Sequence, residues 1–509
     1  MSDLIKKTQW YNNDLFLPGG LAFLKILIHL PILTRYGYHQ DELYFLACGK
    51  HLAFGYVDHA PLVPWIAWLS ETLFPQSLFA LRFLPLLAGA AAVFMTGILV
   101  KKLGGGKFAQ FTASIAMIIA PSYLRMGNIL SLPSFEPLFW VTGFYLVVKI
   151  IQEDNPKLWI WVGVVTGIGL LNKHSMLFFG FGLVAGMILT PIRKYFRSPW
   201  LYAGGILALL MLTPNLIWQF SHDWPTFKFM LNLNERLMSG ISPFQFITGQ
   251  FLYLHPFNAI LWIWGLKFFL FSNDGKKYRL LGWAWLFVFG FLLIFKSKIY
   301  YLAPAYPILF AGGTIALERY VYKKAISWLK PVFISLLVIF GMLMSLISLP
   351  VLNIDKTEKF VNIITFGAFE NIYELTSDLR GMFGWKEMVK GVGEVYNSLP
   401  EEEKEKTIIL AAGYGNAGAI DHFGKRYGLP KACSLSMTYW LWGFPDKAIN
   451  KVIGAGFKPE TMKKLFNNVE IVAEIELKNA NPWQTPFPVT ICSGPKPSLA
   501  NIWERNRPW

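Results

Sequence analysis

Residues 79–100 read FALRFLPLLAGAAAVFMTGILV, 22 residues with hardly a charge among them. As a helix rising 1.5 Å per residue, such a run is about 33 Å long and crosses the hydrocarbon core of a bilayer. The runs on either side repeat the pattern. Working outward, about eleven apolar stretches fill the first 350 positions, near 16–34, 79–100, 108–124, 134–151, 158–172, 175–191, 200–220, 245–271, 280–295, 300–317 and 331–350. The 509-residue chain is 54% hydrophobic and only 15% charged, against about 25% charged in ordinary soluble proteins. Mean hydropathy is +0.41. Disorder is excluded by this wealth of apolar and aromatic residues, and a disulfide scaffold by a content of three cysteines. The chain reads as a polytopic α-helical membrane protein.

Its net charge of +16 invites a nucleic-acid reading, but the placement of the charges argues otherwise. With the N-terminus in the cytoplasm, Lys6 and Lys7 fall in inner segments. So do Lys101, Lys102 and Lys107; Arg193, Lys194 and Arg197; Lys276, Lys277 and Arg279; and Arg319, Lys323 and Lys324. Short cytoplasmic loops carry such an excess. The charge is thus a topology signal, and no nucleic-acid partner is implied. The first apolar run follows a long polar stretch and lacks a small-residue cleavage site, so it reads as a permanent span. An odd number of spans places the C-terminal part outside the cytoplasm. Two domains are expected: a transmembrane catalytic domain over 1–350 and an extracytoplasmic α/β domain over 351–509. The latter has strand-like TIILAA (407–412) and VEIVAEIEL (469–477) and a helix at AGAIDHFGKRYG.

The outer face holds the chemistry. The loop 35–78 contains YGYHQDELYFLACGKHLAFGYVDHAPLVPWIAWLSETLF, with Asp41, Glu42, Asp58 and His59. Leu62, Trp65, Ile66 and Leu69 recur at helical spacing, so this half of the loop is expected to lie in the membrane interface. Carboxylates held at a membrane surface are costly to desolvate, which favours function. The bland alternative has Asp41 capping a helix and Glu42 solvated in its first turn. Glu136 falls at the outer end of a span. Lys173 and His174 occupy a very short outer hairpin, and Lys296 and Lys298 (FKSKIYYLAP) also break the positive-inside pattern. Each basic residue alone suits a lipid phosphate contact; together with the carboxylates they suit a site for an anionic lipid headgroup.

The Asp41–Glu42 pair, the HAPL step at 59–62, the Lys173 hairpin and the YYLAPAYP run resemble family 39 glycosyltransferases. These are the bacterial relatives of protein O-mannosyltransferases and of the lipid A aminoarabinose transferase. GYGNAGAIDHFG and TYWLWGF also look like segments of bacterial members. The resemblance implies a GT-C fold and a membrane enzyme that inverts the sugar's anomeric centre. It also implies a polyprenyl-phosphate sugar donor and an acceptor that is a lipid, a glycan or a protein. Location in the bacterial inner membrane follows. By the same resemblance Asp41 acts as base or orients the acceptor, with Glu42 beside it. Glu136 takes the place of a second-loop acid that is usually Asp, and Lys173 faces the donor phosphate. His59 stands where relatives carry Lys or Gln and is, with Lys173, Lys296 and Lys298, a candidate for binding the donor phosphate; Ala60 replaces a proline.

Three weaker signals remain. Gly413, Gly415 and Gly418 match the dinucleotide fingerprint G-x-G-x-x-G, which the extracytoplasmic placement disfavours. Asp58-His59 and His222-Asp223 make Asp58 and His222 candidate ligands for a divalent metal, though without compact ligand spacing. No other cofactor is indicated. Cys433 and Cys492 are a candidate disulfide. The rival functional class is a transporter or flippase of a lipid-linked or anionic substrate, which would show internal repeats and a midplane site; the third is a non-catalytic scaffold.

Overall fold

The computed structural model describes residues 14–233, 241–367 and 372–509. Lys6 and Lys7 lie outside the described residues. The chain folds into two compact units. One comprises the chain up to Leu33 together with Arg82–Ser221 and Leu233–Val351. The other comprises Thr34–Leu81, His222–Asn232 and Leu352–Trp509. One boundary falls between Val351 and Leu352, and the first outer loop groups with the C-terminal residues.

The first unit is helical, and each of the eleven apolar runs carries a helix. Among the described residues, six helices are long and apolar enough to cross a membrane: Leu78–Lys102, Leu132–Glu153, Pro199–Ser221, Lys276–Ile294, Ile299–Lys324 and Leu329–Ser348. Counting each bent pair as one span raises the number to eight, and Phe16–Ile32 and Lys107–Ile119 are shorter apolar helices. The run at 245–271 departs most from expectation. It breaks into Pro243–Tyr253 and Asn258–Phe271, bent by 109°. The cause is local: His255 has φ +82° and Pro256 follows, removing a backbone donor and disfavouring helix in the residue before it.

Small residues let these helices approach closely. A Cβ on Gly265 would overlap Leu309 O, and one on Gly313 would overlap Leu261 O, so Asn258–Phe271 and Tyr306–Lys324 touch backbone to backbone. The basic clusters are stitched together at one end of this unit. Lys101 pairs with Asp14 at 2.9 Å, Lys102 with Glu153 at 2.9 Å, Lys194 with Asp154 at 2.6 Å, and Arg319 with Asp274. Gln152 Nε2 links the same end to Tyr278 Oη at 2.6 Å. The charges spaced along the sequence thus converge in space.

The second unit is α/β. Its five strands are β1 (Thr407–Ala411), β2 (Ala432–Ser434), β3 (Lys451–Ala455), β4 (Phe466–Ile475) and β5 (Phe487–Pro495), in the order β2-β1-β3-β5-β4. β1 runs parallel to β2 and β3, whereas β5 is antiparallel to β3 and β4. β1 is buried along its length, as its unbroken apolar run requires. Cys433 on β2 and Cys492 on β5 are free and buried, with β1 and β3 between them in the sheet. At about 4.8 Å per strand step they are far beyond disulfide reach. The candidate disulfide does not form.

The loop 35–78 makes two helices, Gln40–Lys50 and Leu62–Leu73. The second buries Val63, Pro64, Ala67 and Ser70 and turns Trp68, Leu69 and Leu73 outward, 45%, 40% and 61% exposed. Of the expected stripe only Leu69 is exposed, while Leu62, Trp65 and Ile66 are half-buried, so the outward apolar face is centred on other residues than the sequence spacing indicates.

Candidate functional site

Chemistry-bearing side chains gather at one place in each unit. In the helical unit the centre is Glu136, the first residue of Glu136–Glu153, 4% exposed. A buried carboxylate there is supported by the positive end of the helix. Lys173 ends the Trp159–Asn172 helix and points its ammonium at Glu136 Oε2, 2.9 Å away. Ser175 donates its hydroxyl to Glu136 Oε1. The same ammonium lies 4.3 Å from the ring centre of Tyr301 and 5.5 Å from that of Tyr300. Carboxylate and aromatic faces together let a cation stand 13% exposed. The hairpin is fixed from both sides: Asn172 Nδ2 donates to Leu132 O at 2.9 Å, and His174 Nε2 lies 3.0 Å from Asn215 Oδ1.

The structure thus joins three stretches that the sequence singled out separately: Glu136, the Lys173 hairpin and the YYLAP run. Lys296 and Lys298 belong to the segment leading into that run. Lys296 is exposed with φ +48°, and Lys298 is half-buried just before Ile299–Ala305.

In the second unit the centre is Asp41, in the first turn of Gln40–Lys50. The helix cap is His39, not Asp41: His39 Nδ1 accepts from Asp41 N at 3.3 Å, and Glu42 Oε2 accepts from His39 N at 2.8 Å. This reciprocal box corrects the picture of Glu42 as a solvated residue. Glu42 is fully buried, and its carboxylate closes the cap. Asp41 is left facing outward with its side chain 36% exposed, accepting from Tyr414 Oη at 2.9 Å.

Tyr414 is placed by the glycine run. It begins the helix Tyr414–Phe423, and that helix packs on Gln40–Lys50 because Gly415 and Gly418 have no side chains. A Cβ on Gly418 would lie 2.8 Å from Leu43 C and O; one on Gly415 would lie 2.9 Å from Gln40 Cβ. G-Y-G-N-A-G is therefore a helix-packing device that seats a phenol on Asp41. Two of the three fingerprint glycines are covered by protein, where a pyrophosphate would need open backbone.

Beside it lies a buried network. Tyr44 Oη is 2.6 Å from Asp58 Oδ1 and 2.7 Å from Thr438 Oγ1, and it accepts from Thr438 N at 3.1 Å. Burial pushes the Tyr44 hydroxyl well above its ordinary pKa, with Asp58 adding to the effect, so its proton stays and is donated to Asp58.

His59 departs from its expected role. Its side chain is fully buried, stacked on Tyr56 at 4.7 Å and edged by Tyr44 and Phe45. Nδ1 lies 3.0 Å from Ala60 O and Nε2 3.9 Å from Cys48 Sγ. Neither nitrogen is presented to a phosphate; the ring is part of the core of the loop. The metal reading fits no better. Among the described residues no three His, Cys, Asp or Glu side chains converge. Asp58 is held by Tyr44, His222 is half-buried, and Asp223 pairs with Lys228 at 2.6 Å and Arg507 at 3.1 Å. The donor set does not suit a divalent ion. A cavity of about 420 Å³, lined by Leu46, Lys50, Leu52, Trp68 and Glu71, lies at the far end of Gln40–Lys50 from Asp41.

The family described as dolichyl-phosphate-mannose-protein mannosyltransferase matches residues 58–218. No curated protein matches the chain in sequence. In three dimensions the chain is similar to ArnT from Cupriavidus metallidurans bound to undecaprenyl phosphate. The TM-score is 0.62 at 13% identity, over 92% of this chain and 97% of that one. The apo form of the same ArnT gives 0.61 at 14% identity, over 93% and 98%. The chain has the GT-C fold. The likeness spans almost its whole length, so both units are parts of this GT-C architecture, and the resemblance to family 39 holds.

Sequence reading missed Ser175, Tyr414 and the Tyr44–Thr438 contact. Tyr414 lies inside GYGNAGAIDHFG, but its partner is 373 residues away, and nothing local pairs them.

Proposed function

We propose that this GT-C protein is an inverting glycosyltransferase. It moves a sugar from a polyprenyl-phosphate donor to an acceptor at the outer face of a bacterial inner membrane, with its N-terminus cytoplasmic. The observation that carries the reading is the fold shared over 92% of the chain with a protein bound to undecaprenyl phosphate.

The residues supply chemistry that fits. Asp41 is an accessible carboxylate oriented by Tyr414, suited to take the proton of an acceptor hydroxyl. The acceptor oxygen then attacks C1 of the sugar from the face opposite the phosphate. The C1–O bond breaks, and the polyprenyl phosphate leaves with the electron pair. Lys173 is the cation for that phosphate; its aromatic and carboxylate neighbours fix its direction in advance. Where the acceptor is itself a phosphate, Asp41 orients it and takes no proton. Glu136 holds Lys173 in place.

The test is turnover of a panel of radiolabelled polyprenyl-phosphate sugars by the purified protein in lipid, with lipid, glycan and peptide acceptors. One donor should turn over, with loss in Asp41→Asn and Lys173→Ala. Failure of every donor to bind would overturn the proposal in favour of a transporter. In spheroplasts, external protease should cut residues 351–509 and spare the N-terminus; cleavage from the cytoplasmic side would overturn the orientation.

A further inference from the structure

Lys25 lies in the first apolar run, in the helix Phe16–His29, and is 1% exposed; His29, one helical turn on, is fully buried. Ionisable side chains inside a span are rare and call for a partner. Both reach the same element, the six-residue helix Pro121–Met126. Lys25 Nζ donates to Tyr123 O at 3.1 Å, and His29 Nε2 lies 3.2 Å from Leu124 O. Residues at i and i+4 share a helix face, and the carbonyls they meet are at the electronegative end of the short helix. Gly89 leaves the room that the lysine stem occupies, for a Cβ there would lie 2.9 Å from Lys25 Cε.

Two connections lead from that short helix to Glu136 and Lys173. The chain runs from Met126 through a nine-residue segment to Glu136, and Asn172, just before Lys173, holds the segment at Leu132 O. Tyr123 Oη donates to Ala303 O at 2.7 Å, two residues beyond the Tyr301 ring that covers the Lys173 ammonium.

We infer that Lys25 and His29 are positioning residues for the Glu136–Lys173 pair. They clamp the Pro121–Met126 helix and so set both the loop that delivers Glu136 and the turn that lays Tyr301 over Lys173. The inference deepens the proposed donor-phosphate role of Lys173 and rests on it for its catalytic meaning. The geometry of the pair is testable without turnover.

The experiment measures the acylation rate of each lysine by an N-hydroxysuccinimide ester in the full-length protein in micelles, read by mass spectrometry. Lys25→Met keeps the volume and removes the ammonium, Lys25→Arg restores a cation, and Tyr123→Phe removes the bond to Ala303. Lys173 should label at least five-fold faster in Lys25→Met, about two-fold faster in Tyr123→Phe, and near the wild-type rate in Lys25→Arg. Lys390, at the surface of the other unit, should not change. An unchanged Lys173 rate in Tyr123→Phe and Lys25→Met overturns the inference; should Lys25→Met fail to fold, Tyr123→Phe decides alone. A uniform rise at all lysines also overturns it, since that marks general loosening. With an active donor, Lys25→Met should raise donor KM more than it lowers kcat. Should wild type turn over no donor, the functional reading falls while the labelling result stands.

Discussion

Glu136 and Asp41 are both carboxylates in the first turn of a helix, yet their surroundings are opposite. Glu136 is buried and engaged by a lysine and a serine. Asp41 is over a third exposed and accepts from one phenol. The difference separates a carboxylate that holds another group from one that can itself exchange a proton. Both are acids within the first turn of a helix; what assigns the roles is the number of donors each already satisfies.

Replacing Asp41 tests the comparison most severely. Asp41→Asn should slow sugar transfer by about 10²–10⁴-fold with donor KM little changed, since it removes a general base and leaves the helix intact. A smaller loss than in Glu136→Gln would reverse the two roles. Next is stability. Glu136→Gln strands a buried ammonium and should cost about 3–5 kcal/mol in thermal or denaturant unfolding. The double variant Glu136→Gln, Lys173→Met should recover most of that stability but none of the turnover. If the double variant regained activity, the pair would be structural alone.

Packing comes third. Gly418→Val should destabilise by about 1–3 kcal/mol, because its side chain overlaps the backbone of Leu43. It should cut activity by displacing Tyr414, while added NADH changes neither Tm nor fluorescence. Tyr414→Phe should have a milder effect, about 1 kcal/mol or several-fold in kcat, as expected for one hydrogen bond to a partly exposed carboxylate. The smallest expected effect is none. Reductant should leave Tm unchanged, and Cys433, its thiol pushed up to about 12 by burial, should resist alkylation until the protein unfolds.

The helical unit was largely legible in the sequence because each span must be long and apolar on its own account. The positive clusters were legible for the same reason: each sits in one short loop, and the structure gathers them at one end. What could not be read was any property that needs two distant stretches at once. The 109° break at His255 was announced by Pro256, yet the run around it is apolar enough to pass for a straight span. His59 is a phosphate candidate in the sequence because of its place in the HAPL step; only the surrounding Tyr44, Phe45 and Tyr56 rings show it to be core. The glycine fingerprint misled in the same way. A helix that packs tightly and a loop that cradles phosphate ask for the same small residues.

The outward stripe of Trp68, Leu69 and Leu73 has a consequence for enzymology. In the proposed reaction such a face, laid in lipid, would confine catalysis to a surface, so that the donor is met by lateral diffusion and its relevant concentration is a mole fraction in the bilayer. Adding detergent at a fixed amount of donor should then depress the rate by surface dilution, and KM values measured in micelles will scale with the micelle content of the assay.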